Sequence, residues 1–212
     1  MSKRKDSVLV EQISVGQYRN FCYLVGDEPS KEAAIIDPAW DIPKIIRHLN
    51  VKSLKLKYVI NTHSHVDHIQ GNLSIQQLTN ARIVMSCKAS VQKDIGVQDG
   101  DELKLGSAVR LHFILTPGHS PDGMCVLVND IALITGDTLF IGDCGRVDLP
   151  GGDASELFNS FKKMRDLDPM LIVYPGHDCG ARPCTTLKEQ LEQNYTLAKR
   201  SKEEFIRFMK EP

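Results

Sequence analysis

The chain has 212 residues, enough for one sizeable domain, with 42% hydrophobic and 25% charged residues, as in ordinary soluble globular proteins. Its formal net charge of −1 gives no electrostatic reason to expect nucleic acid or an anionic membrane as a partner. No apolar run approaches the roughly 20 residues that span a bilayer. The basic start, Met1 to Asp6, leads into no apolar stretch of the secretory kind and reads as a short solvated tail.

Short apolar runs at residues 8–13, 21–25 and 33–36, each bounded by Gly, Pro, Asp or Ser, predict strands. Helical spacing follows over residues 42–49, then a buried strand over 56–60 that runs into Asn61-Thr62. Residues 70–78 predict a helix and 81–85 a strand. The second half repeats the pattern. Residues 109–116 alternate and end at Pro117-Gly118-His119, and 124–128 with 131–135 form a hairpin turning at Asn129-Asp130. Residues 154–167 are helical, with Leu157, Phe158, Phe161 and Met164 on one face. A strand at 171–174 ends at Pro175-Gly176-His177, and one long polar helix from about 185 to 209, capped by Thr185 or Thr186, closes the chain. With no low-complexity linker or repeat, the expectation is one domain over residues 1–212, with two sheets packed face to face and covered by helices.

None of the six cysteines, Cys22, Cys87, Cys125, Cys144, Cys179 and Cys184, forms a C-x-x-C pair, which excludes zinc-ribbon and thioredoxin-like arrangements. A chain of this size does not need disulfides, so a reduced, cytoplasmic protein is expected.

The chemistry concentrates in Thr62-His63-Ser64-His65-Val66-Asp67-His68, directly after an apolar strand. Several imidazoles and a carboxylate on a tight loop cannot be buried without partners, and they are the donors expected for zinc, iron or manganese. His119, Asp137 and His177 each follow a glycine at the end of a later strand, where a sharp turn would aim the side chain out from the sheet edge. Five of the seven histidines fall in this pattern; His48 and His112 read as surface or structural residues.

The order T-H-x-H-x-D-H, P-G-H, G-D, P-G-H, spread from Phe21 to His177, resembles the metallo-β-lactamase superfamily. The resemblance implies an α/β (α+β) fold, an αββα sandwich of two mixed sheets flanked by helices. It implies one metal position at His63, His65 and His119, a second at Asp67, His68 and His177, and Asp137 between them.

Tyr23-Leu24-Val25-Gly26-Asp27, Glu32 to Pro38 and Gly136-Asp137-Thr138-Leu139-Phe140 are similar to the glyoxalase II and persulfide dioxygenase branch. Cys144-Gly145-Arg146-Val147-Asp148 resembles the C-G-R-x-D of the dioxygenases, and Tyr174-Pro175-Gly176-His177-Asp178 their Y-P-A-H-D, with Gly176 in place of the alanine. Thr185-Thr186 with Glu189 and Asn194 resembles the next region of those enzymes. Ser64, Val66 and Cys179 depart from that pattern, and Leu149-Pro150-Gly151-Gly152-Asp153 is shared with small glyoxalase-like hydrolases. Only 35 residues come after His177, too few for the C-terminal helical domain of glyoxalase II proper.

Two activities are therefore implied. In the first, one Fe(II) per chain on His63, His119 and Asp137 oxidises glutathione persulfide or a similar small persulfide with O2, giving sulfite and thiol, with three metal positions open. His65, Asp67, His68 and His177 then orient ligands and water. Arg146 is the candidate for a substrate carboxylate, against an ion pair with Asp148 or Asp143. In the alternative, two Zn(II) ions on all seven residues hydrolyse a glutathione thioester, with Asp137 bridging and Asp67 also orienting the nucleophile. A non-enzymatic sensor using Cys144 or Cys179 is a third reading. The partners expected are small thiol compounds and O2, without nucleic acid or membrane; a homodimer is common in related enzymes.

Overall fold

The computed structural model describes residues 7–210; the basic start lies outside them, as do residues 211–212. The first half is built from β1 (Val8–Val15), β2 (Asn20–Asp27), β3 (Glu32–Ile36), α1 (Ile42–Val51), β4 (Lys55–Ile60), α2 (Val66–Ile69), α3 (Asn72–Thr79), β5 (Arg82–Ser86) and β6 (Ile95–Val97). Its sheet runs β1-β2-β3-β4-β5-β6, antiparallel to β3 and parallel from β3 onward. The second half contains β7 (Glu102–Leu105), β8 (Val109–Leu115), β9 (Met124–Val128), β10 (Ala132–Gly136), α4 (Ala154–Arg165), β11 (Ile172–Pro175), β12 (Thr185–Thr186), α5 (Leu187–Gln193) and α6 (Lys202–Phe208). Its sheet runs β12-β11-β10-β9-β8-β7, with only β10 and β11 parallel.

Alternate side chains of each central strand enter different cores. Tyr23, Val25, Ala34, Ile36 and Ile60 point between the sheets, where they meet Phe113, Leu115, Met124, Val126 and Ile134. Cys22, Leu24, Ala33, Ile35 and Val59 point the other way, under Ile45 and Leu49 of α1 and Ile75 of α3. On the opposite outer face, Ile114, Cys125, Leu127 and Leu133 lie under Leu157, Phe161 and Met164 of α4, Leu187 of α5 and Phe205 of α6. The result is the expected four-layer sandwich. Strands apolar on both faces read as continuous runs rather than alternating ones.

The hairpin turn falls as predicted, with Asn129 and Asp130 both left-handed (φ 48° and 54°), the conformation of a two-residue type I′ turn. The helix predicted over 70–78 begins instead at Asn72, with Gln70 closing α2 and Gly71 as the N-cap, where a side chain would meet the Pro38 carbonyl. The expected single C-terminal helix is also corrected. Thr185 and Thr186 pair with β11 as an edge strand, and Thr186 caps α5. Asn194 then leaves the helix in an extended conformation, its side chain accepting from the Thr196 amide, and Ser201 with Glu204 opens α6 through a capping box. Two strong N-cap signals inside one polar stretch divide it. No helix among the described residues is long and apolar enough to cross a membrane, and none of the six cysteines is paired.

The two sheets are joined beneath one edge. The fully buried Tyr23 hydroxyl donates to the Pro175 carbonyl and accepts from Gln12 Nε2 at 2.9 Å. The Met124 amide donates to Thr62 O and the Phe21 amide to Gly176 O, both at 2.8 Å. At that edge the ends of β4, β8, β10 and β11 come together, where α/β sheets place their ligands.

Candidate metal centre

β4 ends in a turn held by its own polar residues. Asn61 Nδ2 donates to His68 O (2.8 Å) and Asn72 Oδ1 (3.1 Å), and Asn72 Nδ2 returns a bond to Asn61 Oδ1 (2.7 Å). His65 then starts α2, which carries Asp67 and His68 in its single turn. Gly118 (φ 146°) and Gly136 (φ 48°) adopt conformations that L side chains avoid, and they deliver His119 and Asp137 as expected. Gly176 differs, since its φ is not left-handed.

All seven predicted donors converge. His65 Nδ1 lies 3.0 Å from His63 Nε2 and 2.9 Å from His119 Nε2. His68 Nε2 is 3.7 Å from Asp67 Oδ2 and 3.4 Å from Asp137 Oδ1, and His177 Nε2 is 3.4 Å from Asp67 Oδ2 and 3.3 Å from Asp137 Oδ2. Asp137 Oδ2 also lies 3.6 Å from His119 Nε2. Three donor sets result: His63, His65 and His119; His63, His68 and Asp137; Asp67, His68 and His177.

The far nitrogen of each ring explains why the near one is free. His119 Nδ1 donates to Arg146 O (2.7 Å), His177 Nδ1 to Tyr18 O (2.9 Å) and His68 Nδ1 to Asp37 Oδ2 (3.0 Å). Thr62 Oγ1 gives its proton to Asp37 Oδ2 (2.7 Å), so His63 Nδ1 donates to that hydroxyl at 3.1 Å. These bonds fix the tautomers and turn four Nε2 lone pairs inward. His68 Nε2 and Asp137 Oδ1 are buried without a hydrogen-bond partner. Two such orphans amid converging lone pairs match a set of cation ligands, and this donor chemistry fits a metal ion.

Without a cation, the charges must balance among the side chains. Burial, then the neighbouring His68, holds His63 well below the usual imidazole range, and burial also lowers His65. Burial opposes charge on His68 too, but Asp137 and Asp37 overcome it and raise His68 well above that range. His177 behaves alike: against burial, hydrogen bonds to Asp137 and Asp67 carry it up to about 10. Asp137 and Asp67 are held low, burial being outweighed by His68 and His177. The two carboxylates thus make this a place that favours positive charge, as a cation-binding site requires.

The metallo-beta-lactamase superfamily model matches residues 15–88 and 86–177. The chain belongs to this superfamily. It is 34% identical over 206 residues to the human mitochondrial persulfide dioxygenase ETHE1, covering 95% of this chain and 80% of that protein. It is 38% identical over 178 residues to the hydroxyacylglutathione hydrolase of Polaromonas sp., covering 81% of this chain and 67% of that one. Among solved structures, ETHE1 from Myxococcus xanthus superposes with a TM-score of 0.86 at 32% identity, covering 95% of this chain and 90% of that one. The fold is the metallo-β-lactamase α/β fold, and the relatives are enzymes of that fold that include a dioxygenase and a hydrolase.

Within this superfamily fold, several supporting residues escape a search for ligand types. Asp37, 1% exposed, accepts from Thr62 N (2.8 Å), Thr62 Oγ1 and His68 Nδ1. Asn20 Nδ2 donates to Asp67 O (3.0 Å) and Oδ2 (3.1 Å). Both lie far in sequence from the motif they serve, and neither stands at a spacing that would mark it; in the structure Asp37 follows β3 directly in left-handed conformation (φ 55°). Asn20→Ala is expected to weaken metal binding at Asp67 about 10- to 100-fold, as loss of a ligand-orienting bond does. Stepwise metal titration checks this, and an unchanged titration would exclude a role for Asn20.

The remaining expectations resolve geometrically. His48 Nδ1 meets Glu11 Oε1 at 3.0 Å, and His112 sits opposite Glu102 across β7 and β8. Arg146 forms an exposed fork with Asp148, and it is the main-chain oxygen of Arg146 that reaches the centre, through His119. Cys144 is buried in the core under α4 and α6, and burial, with Asp143, pushes its thiol up to about 12, as suits a packing residue. A surface cavity of about 980 Å³, lined in part by Asp143, Arg146, Asp148, Tyr195, Phe208 and Lys210, includes none of the seven donors.

Proposed function

We propose that the chain is a metal-dependent hydrolase of small-molecule thioesters, of the hydroxyacylglutathione type, working with two metal ions. The observation that carries this reading is the use of all seven donors in three overlapping sets, with Asp137 presenting one oxygen to His68 and the other to His119 and His177. Two metal ions would supply a water ionised near neutral pH and a Lewis-acid contact for the thioester carbonyl. The residues of the chain do the rest. Asp67, fixed by Asn20, stands in the set with His68 and His177, with an oxygen able to accept a hydrogen bond from the attacking water. The backbone carbonyls of Arg146 and Tyr18 lock the imidazoles of His119 and His177. The free cysteines accord with a reducing cytoplasm.

The second reading is an iron-dependent persulfide dioxygenase on His63, His119 and Asp137. It is favoured by the similarity to ETHE1 over nearly the whole chain and by the Cys144-Gly145-Arg146-Val147-Asp148 segment. One pair of assays separates the two. Zinc-loaded protein is expected to release free thiol from a hydroxyacyl-glutathione thioester, while Fe(II)-loaded protein given glutathione persulfide takes up no O2. Stoichiometric O2 uptake with sulfite formation, and no thiol release from the thioester, would replace the hydrolase by the dioxygenase.

A further inference from the structure

Gly176 stands next to a metal-ligand histidine, yet its backbone does not require glycine: its φ lies outside the left-handed range. What it lacks is room. A Cβ built on Gly176 would lie 2.2 Å from Asp137 Oδ1 and 3.0 Å from both Gly136 C and His68 Cε1. The oxygen that fills this space is the one that faces His68 Nε2, at 3.4 Å, and both atoms are buried without a hydrogen-bond partner. The other oxygen, Oδ2, turns to His119 and His177.

We infer that Gly176 is the residue that sets metal stoichiometry, by leaving the space in which Asp137 points one oxygen at each metal position. This rests on the two-metal reading above. An alanine at 176 can relieve its contact cheaply only by turning the Asp137 carboxylate, whose terminal torsion is soft. The turn withdraws Oδ1 from His68. The set of His63, His65 and His119 keeps all its nitrogens, while the set of Asp67, His68 and His177 loses the shared carboxylate and has its imidazole crowded at Cε1. Gly176 touches neither substrate nor metal, so it is a positioning residue acting through Asp137.

The test is metal content of the full chain. Metal-free wild type and Gly176→Ala are loaded with excess Zn(II), desalted and counted by elemental analysis. Two ions per wild-type chain and one per folded Gly176→Ala chain are expected. Loading with Mn(II) gives a readout that mere destabilisation would not move: wild type should show the electron paramagnetic resonance of a spin-coupled pair, the variant that of isolated ions. Two coupled ions in Gly176→Ala would overturn the assignment while leaving the hydrolase standing. Should the variant not fold, the wild-type spectrum still decides, because a single uncoupled Mn(II) per wild-type chain overturns the assignment. Thioester turnover, measured separately, reports on the hydrolase reading alone.

Discussion

Under the hydrolase reading, Asp137→Ala is expected to lower kcat/KM by at least about 10³-fold, since the water that Asp137 would help to activate would ionise far from neutrality, and to reduce bound metal. The carboxylate is 8% exposed and lies within 3.6 Å of His68, His119 and His177. It is the anion that the two ends of the centre share. Without it, His68 and His177 lose the carboxylate that favours positive charge beside them, and the centre loses the anion that would balance a bound cation among neutral imidazoles. Asp137→Asn separates charge from shape: the amide fits the same space but brings no charge, so metal loss without loss of fold is expected. Elemental analysis beside a thermal melt checks both. Full metal occupancy in Asp137→Ala would remove Asp137 from the centre under the hydrolase and the dioxygenase alike, because both place it on the metal.

The legibility of the site in the sequence follows a physical boundary. Ligand residues announce themselves because no other local demand puts His63, His65, Asp67 and His68 within six positions, and all seven proposed donors do converge. The burial of the motif is not legible in the same way. His63 and His68, which could not be buried without partners, are 2% and 0% exposed, and the partner that makes that tolerable is Asp37, some thirty positions before His68. A residue that acts through hydrogen bonds to other residues carries no spacing signature of its own, and Asn20 escapes for the same reason. Gly176 reads in the sequence as a turn former like Gly118 and Gly136, but only the latter two have positive φ. A sequence does not distinguish a glycine needed for conformation from one needed for space.

The elements divide similarly. Strongly apolar strands and the amphipathic α4 are where periodicity puts them, since burial alone dictates them. The short β6 and β7 go unseen because three or four residues cannot display a period, and their pairing with β5 and β8 is a tertiary fact. The C-terminal stretch has helix-forming composition throughout. It is broken by Asn194 and Ser201, whose side chains satisfy amides locally and end one helix before the next begins.

Asp37→Ala should be the most destabilising single change at the centre that removes no ligand. Its carboxylate accepts three hydrogen bonds in a place from which water is excluded: Thr62 N, Thr62 Oγ1 and His68 Nδ1. Truncation leaves all three donors unpaired, and the cost of stranding polar groups and an imidazole beside a carboxylate is about 3–5 kcal/mol. For a chain of this length that is a drop in Tm of roughly 6–20 °C. Metal binding should weaken as well, about 10- to 100-fold at the position holding His68, because that ring loses the bond fixing its tautomer. Asp37→Asn keeps one acceptor oxygen but points an NH2 group at a donor, so an intermediate loss is expected in both measurements. Thermal melts of the metal-free variants isolate the structural cost, and zinc titration then gives the effect on the ligand. If Asp37→Ala melts with the wild type and binds zinc as tightly, then the relay from His63 through Thr62 and Asp37 to His68 does not hold the centre, and the burial of His68 must be supported by the metal alone.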